Sequence, residues 1–321
     1  MNMIKAGHQI RVNDILLDTL VSTNYTSYTT SVLCYLLNEI STRYHNNCNK
    51  DGYLFREDRT IVITEQEASI MLRYNVCNNG AKYITNDNIQ DLKGEVFTPG
   101  QREESIVTES DLAKVKAELQ NNIFSYVCAT ESGVYKIYIF SIIYWDKHTN
   151  EIQVTFNADF IEMYFGVLTA TGEGDSKYSK LAVDVMVSMN KRRSQRLFGF
   201  ITKYQYQLDK HGDTNWFRFE TLKDILDVVD GDRSRNILDY TSRALKDINK
   251  CMKAHVKNGK YRQFKIEYRK AVQGMKTSPY KYFKIVQETV DITTPQTKAK
   301  KTKATKEQPK RRRHNDFRDM E

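Results

Sequence analysis

The sequence has no long apolar run, no Cys-x-x-Cys pair and no signal-peptide pattern in its first residues. None of its apolar runs reaches the roughly 18 residues of a membrane-spanning helix, and its first residues do not follow the basic-then-apolar pattern of a signal peptide. The five cysteines are scattered without a Cys-x-x-Cys pair, which is typical of unpaired thiols in a reducing compartment. We therefore expect a cytoplasmic protein that has no membrane partner.

Motifs for nucleotide hydrolysis and metal chemistry are lacking as well. The six histidines are isolated, so the His-x-His motif of rolling-circle nucleases is missing, and no Gly-x-x-x-x-Gly-Lys-Ser/Thr P-loop occurs. Asp224, Asp227, Asp230 and Asp232 lie along one predicted helix and the turn after it, where charge at helix ends explains them better than a metal site. We expect no enzyme activity, no catalytic residue, no cofactor and no metal.

Charge is distributed unevenly along the chain. The net charge of +9 combines −9 over residues 1–175, +13 over residues 176–290 and +5 over residues 291–321. A basic second half beside an acidic first half is the electrostatic pattern of a nucleic-acid-binding domain joined to a domain with another main task. We therefore expect DNA contacts chiefly in residues 176–290.

Residues 231–251 contain the clearest helical pattern. Ser234 stands where an N-cap is expected, and the residues after it separate into two faces at 100° per residue. One face can be buried and holds Ile237, Thr241, Ala244, Leu245 and Ile248. The other face holds Arg235, Asp239, Ser242, Arg243, Lys246, Asn249 and Lys250. A solvated surface helix would show the same separation, so this pattern alone does not establish DNA binding.

The next residues predict a β-hairpin. Residues 251–256 and 261–268 alternate apolar and polar positions on either side of Lys257-Asn258-Gly259-Lys260, and Asn-Gly is a strong hairpin-turn signal. An amphipathic basic helix followed by a basic hairpin is the order of the recognition helix and wing in a winged-helix DNA-binding domain. We expect the helix to enter the major groove and the wing to contact phosphates or the minor groove.

The order of predicted elements indicates a second copy of this architecture. In the first half, predicted helices at 12–20, 27–44 and 110–123 precede a hairpin of 134–145 and 151–156. In the second half we predict helices at 179–189, from 194, and at 222–229, with a short strand at 216–219 before the last of these. The predicted fold class is α+β with two tandem winged-helix domains. The first spans 1–170 with an insertion at 74–108, the second spans 176–290, and 291–321 form a disordered basic tail.

Several segments resemble plasmid replication initiator (Rep) proteins that have tandem winged helices. Ser194-Gln195-Arg196-Leu197-Phe198 resembles their Ser-x-Arg-Leu-Tyr segment, with Phe198 in place of Tyr. Residues 216–226 are similar to their strand and Leu-rich second helix, and residues 244–249 to their Ala-x-x-Glu-Ile-Asn pattern, with Asp247 in place of Glu. Tyr144 and residues 152–157 resemble the hairpin that closes their first domain. The resemblance covers roughly 10–45 and 108–290, whereas 74–108 and the tail have no counterpart.

This resemblance implies a specific function. Such initiators bind repeated sites, called iterons, at a bacterial replication origin. Their monomers bind direct repeats and help to open the adjacent duplex. Their dimers, formed through the first domain, bind an inverted repeat and repress the initiator's own gene. They recruit host DnaA, helicase and primase, and they have no catalytic centre.

The candidate DNA-binding residues lie in three groups. At the recognition helix, Arg235, Arg243 and Lys246 should approach base edges, because the arginine fork suits guanine O6 and N7. At the start of an earlier helix, Lys191, Arg192, Arg193 and Ser194 should hold phosphate through charge and free backbone amides. Lys257, Lys260 and Arg262 should hold phosphate from the wing. The full set is Lys191, Arg192, Arg193, Ser194, Arg196, Arg233, Arg235, Ser242, Arg243, Lys246, Lys250, Lys257, Lys260 and Arg262.

Two other functions remain open at the level of sequence. A phage or chromosomal transcription regulator could combine the same winged helix with an unrelated partner-binding first half, and it would bind one palindrome rather than several direct repeats. A non-specific architectural protein would instead bind through the tail, with Pro309-Lys310-Arg311-Arg312-Arg313 as its most basic segment. Removing residues 291–321 would then abolish DNA binding.

Overall fold

The structure is a computed structural model that describes thirteen parts of the chain. These are residues 9–21, 26–48, 53–64, 109–121, 124–130, 133–146, 148, 151–170, 178–189, 191–228, 234–255, 259–270 and 280–292. The predicted insertion at 74–108 and the predicted tail from residue 293 onward lie outside the described residues.

The first half alternates helices with antiparallel strands. In chain order its elements are β1 (Gln9–Asn13), α1 (Asp14–Leu20), α2 (Ser27–Asn47), α3 (Arg56–Arg59), β2 (Thr60–Ile63), α4 (Glu109–Asn121), β3 (Ser125–Thr130), β4 (Gly133–Tyr138), β5 (Phe140–Trp145), β6 (Ile152–Phe156) and α5 (Ala158–Ala170). The segment predicted as one strand at 134–145 is therefore two strands, β4 and β5.

The second half continues from β7 to the last hairpin. Its elements are β7 (Tyr178–Ala182), α6 (Val183–Val187), α7 (Arg192–Lys203), α8 (Gln205–His211), β8 (Phe217–Arg218), α9 (Phe219–Leu226), α10 (Ser234–Ala254), β9 (Lys260–Lys270) and β10 (Tyr280–Asp291).

The second half forms a winged helix. Helices α7, α9 and α10 precede the β9–β10 hairpin, and the three-stranded sheet has the order β8-β10-β9. The first strand therefore pairs with the last strand, which in turn pairs with the middle one. Phe219, Phe264 and Phe283 fill the space between helices and sheet and are almost wholly buried. The α+β prediction is confirmed.

The first half repeats the same sheet order. Strand β2 pairs with β6, and β6 pairs with β5, so the first strand again lies beside the last. Helix α2 precedes this sheet in the chain, and α4 comes between β2 and the β5–β6 hairpin. A separate two-stranded sheet, β3–β4, follows α4. The tandem winged-helix prediction, which rested only on the order of elements, is thus confirmed by strand pairing.

Strand β1 at the start of the chain pairs with β7 at the start of the second half. The pairing is antiparallel and runs from Gln9 opposite Ala182 to Asn13 opposite Tyr178. The predicted helix at 179–189 is therefore wrong over its first four residues, and α6 covers only Val183–Val187. The physical reason is a partner about 170 positions away in the chain, which local periodicity cannot reveal. Within β7, Ser179 and Leu181 are buried and Lys180 is exposed, as the period of a strand requires.

The predicted hairpin turn at 257–260 is also wrong. Helix α10 continues to Ala254, and the hairpin runs from Lys260 opposite Asp291 to Lys270 opposite Tyr280. Its tip therefore falls within 271–279, outside the described residues. Gly259 has a φ of +73° and lies between the end of α10 and the first residue of β9. Asn-Gly favours any turn that needs a positive φ. The sequence therefore indicated a turn at this place, but the turn joins α10 to β9 and not two strands of a hairpin.

Candidate nucleic-acid interface

Helix α10 presents a buried face and an exposed basic face. Ile237, Thr241 and Ile248 are fully buried, Ala244 nearly so, and Leu245 packs against the same core while partly exposed. This side is the one that helical periodicity predicted. Because four successive turns are anchored to the core, the opposite face is held in a fixed orientation.

The exposed face of α10 is rich in unpaired cations. Ser242, Arg243, Lys246 and Lys250 are all exposed, and Asp239 is the acidic residue on the same face. Within the described part of the chain, none of the three cations forms an ion pair with a carboxylate. Exposed cations without internal partners are available for phosphate oxygens or base edges.

Asn249 departs from the predicted exposed face. Its amide group donates to the Phe264 carbonyl oxygen at 2.8 Å and accepts from the Phe264 backbone N–H at 2.8 Å. The side chain thereby acts as a strand neighbour for β9 and fixes α10 to the hairpin. An amide side chain suits this role, because its NH2 group donates and its carbonyl oxygen accepts, as the backbone of a neighbouring strand would.

The hairpin runs antiparallel to α10. Asn249, late in the helix, contacts Phe264, whereas Thr241, earlier in the helix, shares a side-chain hydrogen bond with Tyr268. Burial raises the pKa of the Tyr268 phenol to about 12. The end of the hairpin at Lys270 and Tyr280 therefore lies toward the N-terminal half of α10. The connection between the two strands, residues 271–279, lies outside the described part of the chain.

Two residues assigned to the wing lie at the other end of the hairpin. Lys260 is the first residue of β9, opposite Asp291, and Arg262 lies 2.9 Å from the Asp209 carboxylate. Their placement at the wing tip was wrong, because it followed from the incorrect turn assignment. Lys257 and the side chains of Arg233 and Arg235 lie outside the described residues.

Two arginines of the predicted DNA-binding set bind the end of α9. Arg193 donates from Nε to the Leu226 carbonyl at 3.0 Å, and Arg196 donates from Nε to the Ile225 carbonyl at 2.7 Å. A second nitrogen of Arg196 donates to the Asp224 carbonyl at 2.6 Å. Burial lowers the pKa of the Arg196 guanidinium. Carbonyls at a helix C-terminus carry partial negative charge, so both arginines stabilise the packing of α7 on α9.

The residues at the start of α7 lie beside a cleft between α7, α9 and α10. The cleft has a volume of about 470 Å³ and is lined by Lys191, Arg192, Arg193, Ser194, Leu226, Asp227, Tyr240, Arg243 and Ala244. Arg193 stacks on Tyr240 at 3.9 Å from the ring centre. The structure thus brings helix-start cations together with Arg243 of the recognition helix.

Two features of the cleft were not predicted from sequence. Asp227 places its carboxylate 2.6 Å from Arg192, and Tyr240 supplies an aromatic wall. Asp227 stood out in the sequence only as one of several aspartates, and nothing local indicated its partner. Ser194, which was predicted to contact phosphate, is fully buried in the cleft wall. A direct DNA contact by its hydroxyl is excluded in this conformation, because no solvent reaches it.

No helix in the described ranges is long and apolar enough to cross a membrane. Within the same residues, no group of three or more His, Cys, Asp or Glu side chains is arranged to hold a metal ion.

The chain has a distant structural likeness to a solved protein, and two sequence comparisons find no match. No protein-family model matches the chain. No curated protein matches it. Among solved structures, the chain is similar to a Pi initiator protein in complex with iteron DNA, at 16% sequence identity and a TM-score of 0.49, with 89% of this chain and 99% of that chain covered. That protein is of the class that the sequence resembles, but a likeness this distant transfers neither its family nor its DNA partner to this chain.

Proposed function

We propose that this chain is a sequence-specific DNA-binding protein that initiates plasmid replication by recognising repeated origin sites. The observation that carries the proposal is the exposed face of α10, where Arg243, Lys246 and Lys250 form no ion pair with any described residue. The other face of this helix is anchored in a winged-helix core. A helix of this width fits the major groove, and cations presented on it can reach both bases and phosphates.

The geometry favours base recognition by the middle of α10. Arg243 projects from the helix beside the cleft, and Ser242 and Lys246 are its exposed neighbours. An arginine that donates two hydrogen bonds to guanine contributes about 1–3 kcal/mol of discrimination against the wrong base. The end of the hairpin at Lys270 and Tyr280 lies toward the N-terminal half of the helix, where a wing would reach the backbone of the same duplex.

Two winged helices in one chain support an initiator over a simple regulator. Each unit has the same sheet order, so one polypeptide offers two potential DNA-contacting surfaces without dimerising. Such a chain suits direct repeats, which a monomer can occupy one at a time. The resemblance of residues 194–198 and 244–249 to replication initiators points in the same direction.

The finer parts of the proposal follow from that resemblance alone. They are a monomer–dimer equilibrium through the first unit, repression of the chain's own gene by the dimer, assistance in duplex opening, recruitment of host DnaA, helicase and primase, and a location in the bacterial cytoplasm. The exposed apolar side chains Val62, Ile142 and Tyr144 on the first unit's sheet are consistent with a protein contact there.

The proposal is tested by measuring affinity for origin DNA and for random duplex with paired variants. Arg243→Ala combined with Lys246→Ala should weaken binding to the origin far more than to random DNA, because bases are read by this face. Arg262→Ala is the matched control, since it removes a cation from the other end of the hairpin and should change neither affinity by more than about twofold. Equal losses on both DNAs would contradict base recognition by α10.

A further inference from the structure

The cleft beside α10 contains a carboxylate where an anionic ligand would be expected to bind. We propose that the Asp227 carboxylate competes with DNA for Arg192. The carboxylate occupies the position that one backbone phosphodiester would take, so DNA must displace it in order to bind there. The inference rests on the proposed function and deepens it by naming the group that limits affinity. It does not concern base recognition.

The position of the cleft identifies the expected ligand. Lys191, Arg192 and Arg193 enter it from the first turn of α7, and Arg243 enters it from the exposed face of α10. Because Arg243 belongs both to the cleft and to the DNA-facing surface, an anion in the cleft lies against whatever duplex α10 contacts. A phosphodiester of that duplex carries one negative charge, the same as the Asp227 carboxylate.

The cleft wall also holds polar groups that the protein leaves unsatisfied. The Ser194 hydroxyl and the Arg192 Nε are buried, and neither has a hydrogen-bond partner among the described residues. No side chain caps the start of α7 at Lys191. Buried donors without acceptors are costly, and a helix start with free amides favours an anion. A phosphate in the cleft would therefore interact with the exposed part of the Arg192 guanidinium and with the start of α7, and not with the buried Ser194 hydroxyl.

Asp227 is an unusual residue for its position. It caps the C-terminus of α9 in the left-handed conformation, with a φ of 52°, where glycine or asparagine is usual. A negative charge is also unfavourable at a helix C-terminus. The backbone therefore does not require an aspartate here, and its charge is offset by Arg192 at 2.6 Å. Since the two side chains are 34% and 48% exposed, their pair is weak enough for DNA to exchange.

The competitor model predicts a gain of affinity from a single substitution. Asp227→Asn keeps a residue that tolerates the left-handed conformation, removes the competing charge and frees Arg192. We expect DNA to bind about three- to tenfold more tightly at low salt. The slope of log K against log salt concentration should stay the same in wild type and variant, because Arg192 neutralises the same phosphate in both once Asp227 has been displaced.

Asp224→Asn is the matched control. It removes the same charge near the same end of α9, from an exposed side chain that does not line the cleft. An equal gain from both variants would overturn the proposal, because the effect would then come from net charge alone. An unchanged affinity in Asp227→Asn would overturn it as well. Thermal unfolding of each variant checks that neither fold is altered.

An Arg192→Ala background tests the displacement itself. Without Arg192 there is no pair to exchange, so adding Asp227→Asn should change affinity no more than Asp224→Asn does. If Asp227→Asn increases DNA affinity in the Arg192→Ala background as much as it does in the wild type, displacement from Arg192 is refuted. Replacing chloride by inorganic phosphate at constant ionic strength should leave the increase in DNA affinity caused by Asp227→Asn unchanged. If a low concentration of phosphate abolishes that increase, free phosphate occupies the cleft, which would contradict the proposal.

The failure of this inference is separable from the failure of the proposed function. A backbone phosphate has no sequence, so Asp227→Asn should tighten binding to origin and random duplex by the same factor. A gain on both DNAs in a protein without sequence preference would uphold the competitor and refute the initiator. Intact origin specificity with no gain would do the reverse.

Discussion

Replacing Asn249 by alanine should loosen the attachment of the recognition helix to the hairpin. The amide makes two hydrogen bonds of 2.8 Å with the backbone of Phe264, whose side chain is 1% exposed. Each bond contributes about 1–1.5 kcal/mol, so their loss costs about 2–3 kcal/mol. The better helix propensity of alanine returns about 0.5 kcal/mol. We expect a net destabilisation of the second winged helix of about 2 kcal/mol.

The effect is measured by denaturant unfolding together with hydrogen exchange at the Phe264 amide. That amide should exchange faster in Asn249→Ala, because its acceptor is removed. Lys250→Ala is the control, since the neighbouring side chain is exposed and has no ion pair among the described residues. If Asn249→Ala and Lys250→Ala differ by less than about 0.5 kcal/mol and the amide stays protected, the helix is not held by this contact.

Two further predictions concern the core of the chain. Burial raises the pKa of the Cys34 thiol from 9.0 to about 12. At pH 8 a thiol reagent should therefore modify the partly exposed Cys48 of the native protein and not the buried Cys34. Peptide mass spectrometry would locate the modification. The unfolded thiol ionises first as pH rises, so stability should fall between pH 9 and 12, and less so in Cys34→Ala; equal profiles would contradict this. A Cβ at Gly199 would lie 3.0 Å from Val21 Cγ1. Gly199→Leu should therefore lower the free energy of unfolding by about 1–3 kcal/mol, and Gly199→Ala should lower it by less, as thermal unfolding would show. Equal melting of wild type and Gly199→Leu would show that α1 does not pack this closely on α7.

Local periodicity was sufficient to predict the recognition helix. Residues 237–248 repeat apolar positions every three or four residues, and the same positions are buried in the structure. The order of helices and strands was sufficient for the fold class. Both signals depend on short-range geometry, which a single sequence records directly.

Long-range pairing could not be predicted in the same way. The pairing of β1 with β7 joins residues near 10 and 180, and the sequence shows no signal that links them. The hairpin turn was misplaced because Asn258-Gly259 also suits the exit of a helix. The roles of Arg193 and Arg196 depend on α9 ending beside them, so their charge suggested DNA where the structure shows protein carbonyls.

Footprinting on the DNA that flanks the chain's own gene tests the central claim most directly. We expect evenly spaced protections on direct repeats beside an AT-rich segment, lost in the variant that combines Arg243→Ala with Lys246→Ala and retained in Arg262→Ala. A single palindromic protection would instead indicate a dimeric transcription regulator. Uniform, salt-sensitive coating without a footprint would contradict sequence recognition by α10.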